Sequence, residues 1–179
     1  SDKEIQKFKQ TTAALRALHP AQYEKQRADY MFGQQQYGKA AARYGKILEY
    51  PRDKVVEDLF LAKVYNNLGA CYGELFSFQK AMDAYVCAWN EKPEAAYLKG
   101  MYFLTKLDPE LSMKDRCREL LASQDTEGWD REFNEALARA GQTGPAVRLQ
   151  EIFDRDPEKR LEGAAKVLNQ WKLEYRKML

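Results

Sequence analysis

The sequence predicts an all-α fold. In residues 62–95, apolar side chains recur three and four positions apart in two runs, which a break around Ser77 separates. That spacing places the apolar residues of each run on one face of a helix, and two such helices joined by a short loop form a hairpin. Pro93 lacks a backbone N–H and has a fixed φ angle, so it ends the second helix. Similar stripes before and after this segment extend the prediction to the rest of the chain.

The predicted hairpin carries small residues where bulky ones would hold its helices apart. Gly69 has no side chain, and Ala81 and Ala88 each have only a methyl group. We expect these positions to let the helix axes approach to about 8–10 Å, with tyrosines filling the remaining space. The tyrosines are Tyr65, Tyr72 and Tyr85.

The order of residues in this hairpin resembles the tetratricopeptide repeat, a helix–turn–helix unit of about 34 residues. Counted from Ala62, the signature positions of the repeat are occupied by Tyr65, Leu68, Gly69, Tyr72, Ala81, Tyr85, Ala88 and Pro93. The resemblance implies a right-handed α-solenoid of about four helical hairpins with a capping helix at each end. It identifies a scaffold rather than an activity.

The same periodicity divides the chain into units within a single predicted domain, 1–179. These are an N-terminal helix (1–19), a first repeat (21–51), a second repeat with an extended first helix (52–95), a degenerate third repeat (95–124), a degenerate fourth repeat (126–157) and a capping helix (157–179). The extended helix is expected to run from about residue 54 to 75. Asp108 and Pro109 are typical of a helix start, and Gly141 is typical of a helix end.

Composition and charge argue against several classes of function. The formal net charge is +2, which is too balanced to indicate nucleic-acid binding. No apolar run approaches the roughly 20 residues that a membrane span needs, so we expect no membrane insertion within this chain. The chain begins with Ser1 rather than Met, and we therefore expect it to be a processed or excised part of a longer protein.

The cysteines predict a reducing, cytoplasmic compartment. Cys71, Cys87 and Cys117 lie singly within predicted helices. An odd number without paired spacing is typical of free buried thiols rather than of a disulfide framework or a zinc site.

The sequence shows no catalytic constellation, so we predict that the chain is not an enzyme and needs no metal or cofactor. His19 is the sole histidine, and triads and Cys–His pairs need a histidine placed against a nucleophile. The stretch from Gly33 to Gly38 reads GQQQYG and lacks the Lys-Ser/Thr pair of a phosphate-binding loop. We interpret it as the turn between the helices of the first repeat.

Binding of a peptide or protein segment is the leading hypothesis, and it follows from the resemblance. In tetratricopeptide proteins the first helices of the hairpins line a concave groove that commonly holds an extended or helical peptide. Carrying the groove positions over gives Lys25, Asp29, Phe32, Lys63, Asn66, Asn67, Ala70 and Glu74. The two adjacent amides point about 100° apart, so one is expected to bond a bound peptide while the other faces the neighbouring helix.

Some family members grip a C-terminal carboxylate with a lysine and asparagine clamp. Lys25 and Asn67 match two positions of that clamp. Asp29 stands where an asparagine is expected, and its negative charge would repel a carboxylate. The resemblance therefore favours a different ligand here.

Two alternative functions stay open at this point. Secretion chaperones of bacterial needle complexes also have three such repeats behind an N-terminal helix, and the chain is compatible with them. A self-assembling structural domain would instead dimerise through the last helix, in which Leu161, Leu168 and Trp171 recur at helical spacing. The expected partner is accordingly a protein or peptide of unknown identity, with the chain itself a monomer or a homodimer.

Overall fold

The described residues of the computed structural model, 1–52, 58–108 and 110–143, are helical apart from short connections. They form eight helices and no strand, which confirms the all-α class. The helices are α1 (Asp2–Leu18), α2 (Pro20–Gly33), α3 (Tyr37–Leu48), α4 (Asp58–Glu74), α5 (Phe78–Glu91), α6 (Ala95–Leu107), α7 (Asp115–Ala122) and α8 (Glu127–Thr143). The start of the extended helix, the second half of the fourth repeat and the capping helix at 157–179 lie outside these residues.

The chain divides into two compact units, Ser1–Tyr97 and Leu98–Leu179. In the first unit α2 pairs with α3 and α4 pairs with α5, as the predicted hairpins require, while α3 also packs on α4 and α1 packs on α2. The prediction of a single domain, and of a solenoid of stacked hairpins, stays a prediction.

The two hairpins turn through the same backbone motif. Gln35 and Phe76, which follow α2 and α4, both have a φ angle of 59°, in the left-handed region. The amide N–H of the next residue, Gln36 or Ser77, donates at 2.9 Å to a carbonyl five positions earlier. This is the Schellman arrangement, which satisfies helix carbonyls that would otherwise lack donors. The predicted turn between Gly33 and Gly38 is thus confirmed, although the left-handed residue in it is not a glycine.

The core of the first unit lies between the helices of the two hairpins. The side chains of Tyr44 and Ile47 on α3 and of Val64 and Cys71 on α4 are fully buried there. A second, smaller cluster joins α4, α5 and the start of α6 through Ala62, Ala88 and Tyr97. Burial of this apolar surface is the main favourable contribution to the stability of the unit.

The predicted close contact between α4 and α5 is confirmed. A Cβ atom built on Gly69 would lie 3.0 Å from the ring of Tyr85, and Ala81 and Ala88 are completely buried. Helix α5 ends at Glu91, two residues before Pro93, because the residue that precedes a proline avoids the helical region.

Residues 110–114 correct the predicted start of the second helix in the third repeat. We expected that helix to begin at Pro109, but residues 110–114 are not helical and α7 begins at Asp115. The carboxylate of Asp108 accepts a hydrogen bond from the amide of Glu110 at 3.1 Å. This local bond stabilises a turn instead of capping a helix.

The second correction concerns the end of α8. Gly141 was expected to end a helix, yet α8 continues through it to Thr143. A glycine inside a helix costs only about 1 kcal/mol relative to alanine, which neighbouring residues can offset. Near its beginning, α8 packs aromatic side chains on α6: Trp129 packs on Tyr102 with ring centres 5.7 Å apart, and Phe133 packs on Phe103 at 5.6 Å.

The contact at Gly69 predicts opposite effects for two substitutions on one helix. Gly69→Ala should lower the free energy of unfolding by about 1–3 kcal/mol, because the added methyl group meets the Tyr85 ring. Gly73→Ala, whose methyl group enters open space, should raise it by up to about 1 kcal/mol, because alanine is the better helix former. Urea denaturation followed by circular dichroism measures both. If Gly69→Ala raised the free energy of unfolding, the packing of α4 on α5 would not require a glycine at position 69.

Candidate functional site

The residues predicted to contact a peptide lie on two helices of the first unit. Those on α2 are Lys25, Asp29 and Phe32, and those on α4 are Lys63, Asn66, Asn67, Ala70 and Glu74. Hydrogen bonds bring four of them together: Lys25, Asp29, Asn66 and Asn67.

A buried tyrosine joins α2 to α4. The hydroxyl of Tyr44, on α3, donates to Oδ1 of Asp29 at 2.5 Å. The amide nitrogen of Asn67 lies 3.3 Å from the same Oδ1 and 3.2 Å from the Tyr44 oxygen, and it donates to both. We call Asp29, Tyr44 and Asn67 the polar triangle. Because Tyr44 is completely buried, its hydroxyl must find partners within the protein, and the triangle supplies them.

Lys25 completes the hydrogen bonding of the Asp29 carboxylate. Its ammonium group lies 2.7 Å from Oδ2, so both oxygens of Asp29 have donors. The side chains of Lys25 and Asp29 are 20% and 40% exposed, which leaves the pair partly screened by water. The lysine that a carboxylate clamp would use is therefore already paired with Asp29.

The two adjacent asparagines have different hydrogen-bond partners. Asn67 faces the neighbouring helices through the polar triangle. Asn66 donates from Nδ2 to Oδ1 of Asn67 at 3.4 Å, a long bond that uses one of its two amide hydrogens. Since Asn66 is half-buried and belongs to neither the triangle nor the core, it is the amide better placed to contact a ligand.

The remaining predicted residues lie apart from this group. Phe32, near the end of α2, is half-buried against the core. Its ring packs edge-on against Tyr37 with ring centres 5.4 Å apart, so it helps to join α2 to α3. Lys63 is exposed, while Ala70 and Glu74 are half-buried. All three follow the same stripe of α4 as Asn66 and Asn67, at spacings of three and four residues.

Tyr44 was missed as a site residue by sequence reasoning. Its position matches the aromatic position of the repeat, which predicts packing alone. The signal that could have found it is its hydroxyl, since a buried tyrosine needs a hydrogen-bond partner and a phenylalanine does not.

Burial keeps the titratable groups of this core uncharged. It raises the pKa of Tyr44 well above its usual range, and the hydrogen bond to Asp29 raises it further. Burial, with the negative charge of Glu74, raises the pKa of the Cys71 thiol to about 12. Burial also raises the pKa of Tyr85 to about 12. A thiol with so high a pKa is a poor nucleophile, so Cys71 is a packing residue.

Metal-binding clusters and membrane-spanning helices are both absent from the part of the chain that the structure describes. The described residues contain no group of three or more His, Cys, Asp or Glu side chains that could hold a metal ion. Within the same residues, each helix is too short or too polar to traverse a bilayer.

Comparison with family models, with curated proteins and with solved structures finds no match for this chain. The tetratricopeptide resemblance therefore depends on the residues of the second hairpin and on the local geometry described above. Any function is argued from the surface itself.

The raised pKa values predict that alkaline pH destabilises the protein. A group whose pKa is higher in the folded than in the unfolded state contributes stability that is complete below the unfolded pKa. The unfolded pKa is 9.0 for Cys71 and 10.0 for Tyr85. The contribution is lost as the pH rises from these values through the folded pKa of about 12. The urea midpoint should therefore fall between pH 8 and pH 11.

Tyr44→Phe tests the polar triangle within the same experiment. It should lower the free energy of unfolding at pH 7 by about 1–2 kcal/mol, because Asp29 and Asn67 lose a partner. It should also reduce the loss of stability above pH 10. Tyr30→Phe is the matched control, since Tyr30 is 70% exposed and its hydroxyl should contribute little. Equal stability of Tyr44→Phe and the parent protein would contradict the importance of the triangle.

Proposed function

We propose that this chain is a protein-interaction scaffold of the tetratricopeptide type, which binds a peptide or protein segment along α2 and α4. The observation that carries the proposal is the polar triangle, which fixes polar side chains of both helices next to each other. Side chains held in place before binding lose little conformational entropy when a ligand arrives. The surface is therefore suited to recognition of a polypeptide backbone.

The scaffold part of the proposal is supported by the two hairpins. Both have the same Schellman turn, and the second has the close contact between Gly69 and Tyr85 that its signature positions require. Structures that repeat a helical hairpin commonly present a line of first helices to a ligand. In this chain α2 and α4 are those helices.

The stripe on α4 supports a ligand in extended conformation. From Lys63 to Glu74 it covers twelve helical residues, whose ends are about 16 Å apart, and this length matches about five residues of an extended peptide. Asn66 offers its second amide hydrogen and its carbonyl oxygen to the peptide backbone, and Ala70 leaves space beside it. Lys63 and Glu74 place opposite charges at the two ends, so the preferred peptide carries an acidic residue at one end and a basic residue at the other.

Selection from a displayed library of random heptapeptides, followed by calorimetric titration, tests this proposal. Selected peptides should have an acidic and a basic residue about four to five positions apart. Asn66→Ala should weaken their binding about fivefold to tenfold without changing the thermal midpoint, because one or two hydrogen bonds are lost. Asn67→Ala should weaken binding and also lower stability, since it breaks the polar triangle.

Asn90→Ala is the matched control, because it removes an exposed asparagine from α5, outside the proposed surface. It should leave affinity unchanged. Full affinity in both Asn66→Ala and Asn67→Ala would overturn the placement of the ligand. A selection that yields no binding peptide would overturn peptide recognition itself.

A further inference from the structure

Helix α1 contributes very little to the core of the first unit. It has 17 residues and none of them is buried. Ile5 is 55% exposed and Phe8 is 72% exposed, while Thr12 and Leu15 are half-buried against α2. Helices of this length are marginally stable in water unless tertiary packing covers an apolar face. A partner that covers Ile5 and Phe8 would therefore stabilise α1.

An open groove of about 590 Å³ lies between α1 and the beginning of α2. The surface of the groove is mostly apolar, and a few polar side chains also line it. The apolar residues are Phe8, Ala13, Ala17 and Tyr23, and the cations are Lys9 and Arg16. The groove shares no lining residue with the stripe proposed to bind peptides on α4.

The ring of Tyr23 contacts two arginines at the edge of the groove. The guanidinium of Arg16 lies 5.7 Å from the centre of the Tyr23 ring, and that of Arg27 lies 5.8 Å from it. Arg27 also donates to the Tyr23 hydroxyl at 3.2 Å. These cation–π contacts fix the two arginines beside apolar surface instead of leaving them free in solvent.

The charged side chains that line the groove have one sign. They are Lys9 and Arg16, whereas the flanking carboxylates Glu4 and Glu24 do not line it and are paired with the Ser1 ammonium and with Arg43. Apolar surface bordered by cations complements a ligand that has apolar residues bordered by carboxylates.

We propose that this groove docks an acidic amphipathic helix of another protein, with an apolar stripe packed on Phe8 and Tyr23 and with Asp or Glu residues along both sides of the stripe. The groove follows α1 over about 14 Å, from Phe8 to Ala17, so it is long enough for about two and a half turns of a helix. Helices dock into such grooves through apolar residues spaced three, four and seven positions apart.

The charges argue against a second copy of α1 as the occupant. Lys9 and Arg16 lie near the two ends of the groove along α1. Antiparallel copies centred on the groove would place Lys9 against Arg16, and parallel copies would place each residue against itself. Both arrangements bring like charges together in surroundings of low dielectric constant, where repulsion is strong.

The probe for this site is a synthetic 18-residue helical peptide with leucines at spacings of three and four and glutamates on both flanks of the leucine stripe. The matched control peptide has lysine in place of each glutamate. Fluorescence anisotropy with the full chain at low salt should show the glutamate peptide binding about tenfold more tightly than the lysine peptide, and the difference should shrink at high salt.

Substitutions in the groove should act selectively on this binding. Phe8→Ala should weaken it about tenfold, because an apolar anchor is lost, and the double variant Lys9→Glu, Arg16→Glu should reverse the preference between the two peptides. Tyr30→Ala is the control, since it removes a 70% exposed aromatic residue of α2 outside the groove. Asn66→Ala should also leave binding unchanged, which separates this site from the proposed peptide surface.

Three results would overturn the proposal. The first is an absence of binding by the glutamate peptide, and the second is equal binding of the two peptides by the parent chain. The third is self-association in sedimentation velocity that Phe8→Ala abolishes, which would identify a second copy as the occupant. The variants are expected to fold, because Phe8, Lys9 and Arg16 are exposed, and circular dichroism checks this.

Discussion

The buried hydroxyl of Tyr44 is the point on which the first unit depends. It lies among α2, α3 and α4, and it is hydrogen-bonded to a carboxylate of α2 and to an amide of α4. Apolar packing alone tolerates small sliding and rotation of helices, whereas a buried polar group tolerates only the arrangements that satisfy it. The polar triangle therefore specifies the register of the first hairpin against the second. The same bonds fix Asp29 and Asn67 on the surface that we propose binds a peptide.

The two proposed surfaces of the first unit differ in chemistry because they use different parts of α2. The middle of α2 contributes Asp29, whose charge Lys25 and the polar triangle balance, so the surface shared with α4 is polar with little net charge. The beginning of α2 contributes Tyr23, which faces apolar and cationic residues of α1. One surface suits the backbone of an extended segment and the other suits an acidic helix. A protein with both surfaces could hold two partners at once, which is a property expected of a scaffold.

Sequence reasoning predicted the helices well and the polar interactions poorly. Periodicity, Gly69 and Pro93 predicted the second hairpin and its close packing because these signals are local. The polar triangle joins residues that are distant in the sequence, and spacing carries no information on which side chains bond across helices. The predicted helix start at Asp108 was wrong for a related reason. An aspartate can cap a helix or stabilise a turn, and the residues that follow it decide which of the two forms. The sequence could not say which of the two adjacent asparagines faces the neighbouring helix, and the structure shows that Asn67 bonds to Asp29 of α2.

A double-mutant cycle between Tyr44→Phe and Asn67→Ala measures the central interaction most directly. The free energies of unfolding of the parent, the two single variants and the double variant give the coupling between the two side chains. We predict a coupling of about 1–2 kcal/mol, because either substitution already breaks the bond that the other would remove. A second cycle with Tyr44→Phe and Asn90→Ala should give additive effects, since Asn90 is exposed on α5. Additivity to within about 0.5 kcal/mol in the first cycle would contradict the account, because the polar triangle would then not hold α3 against α4.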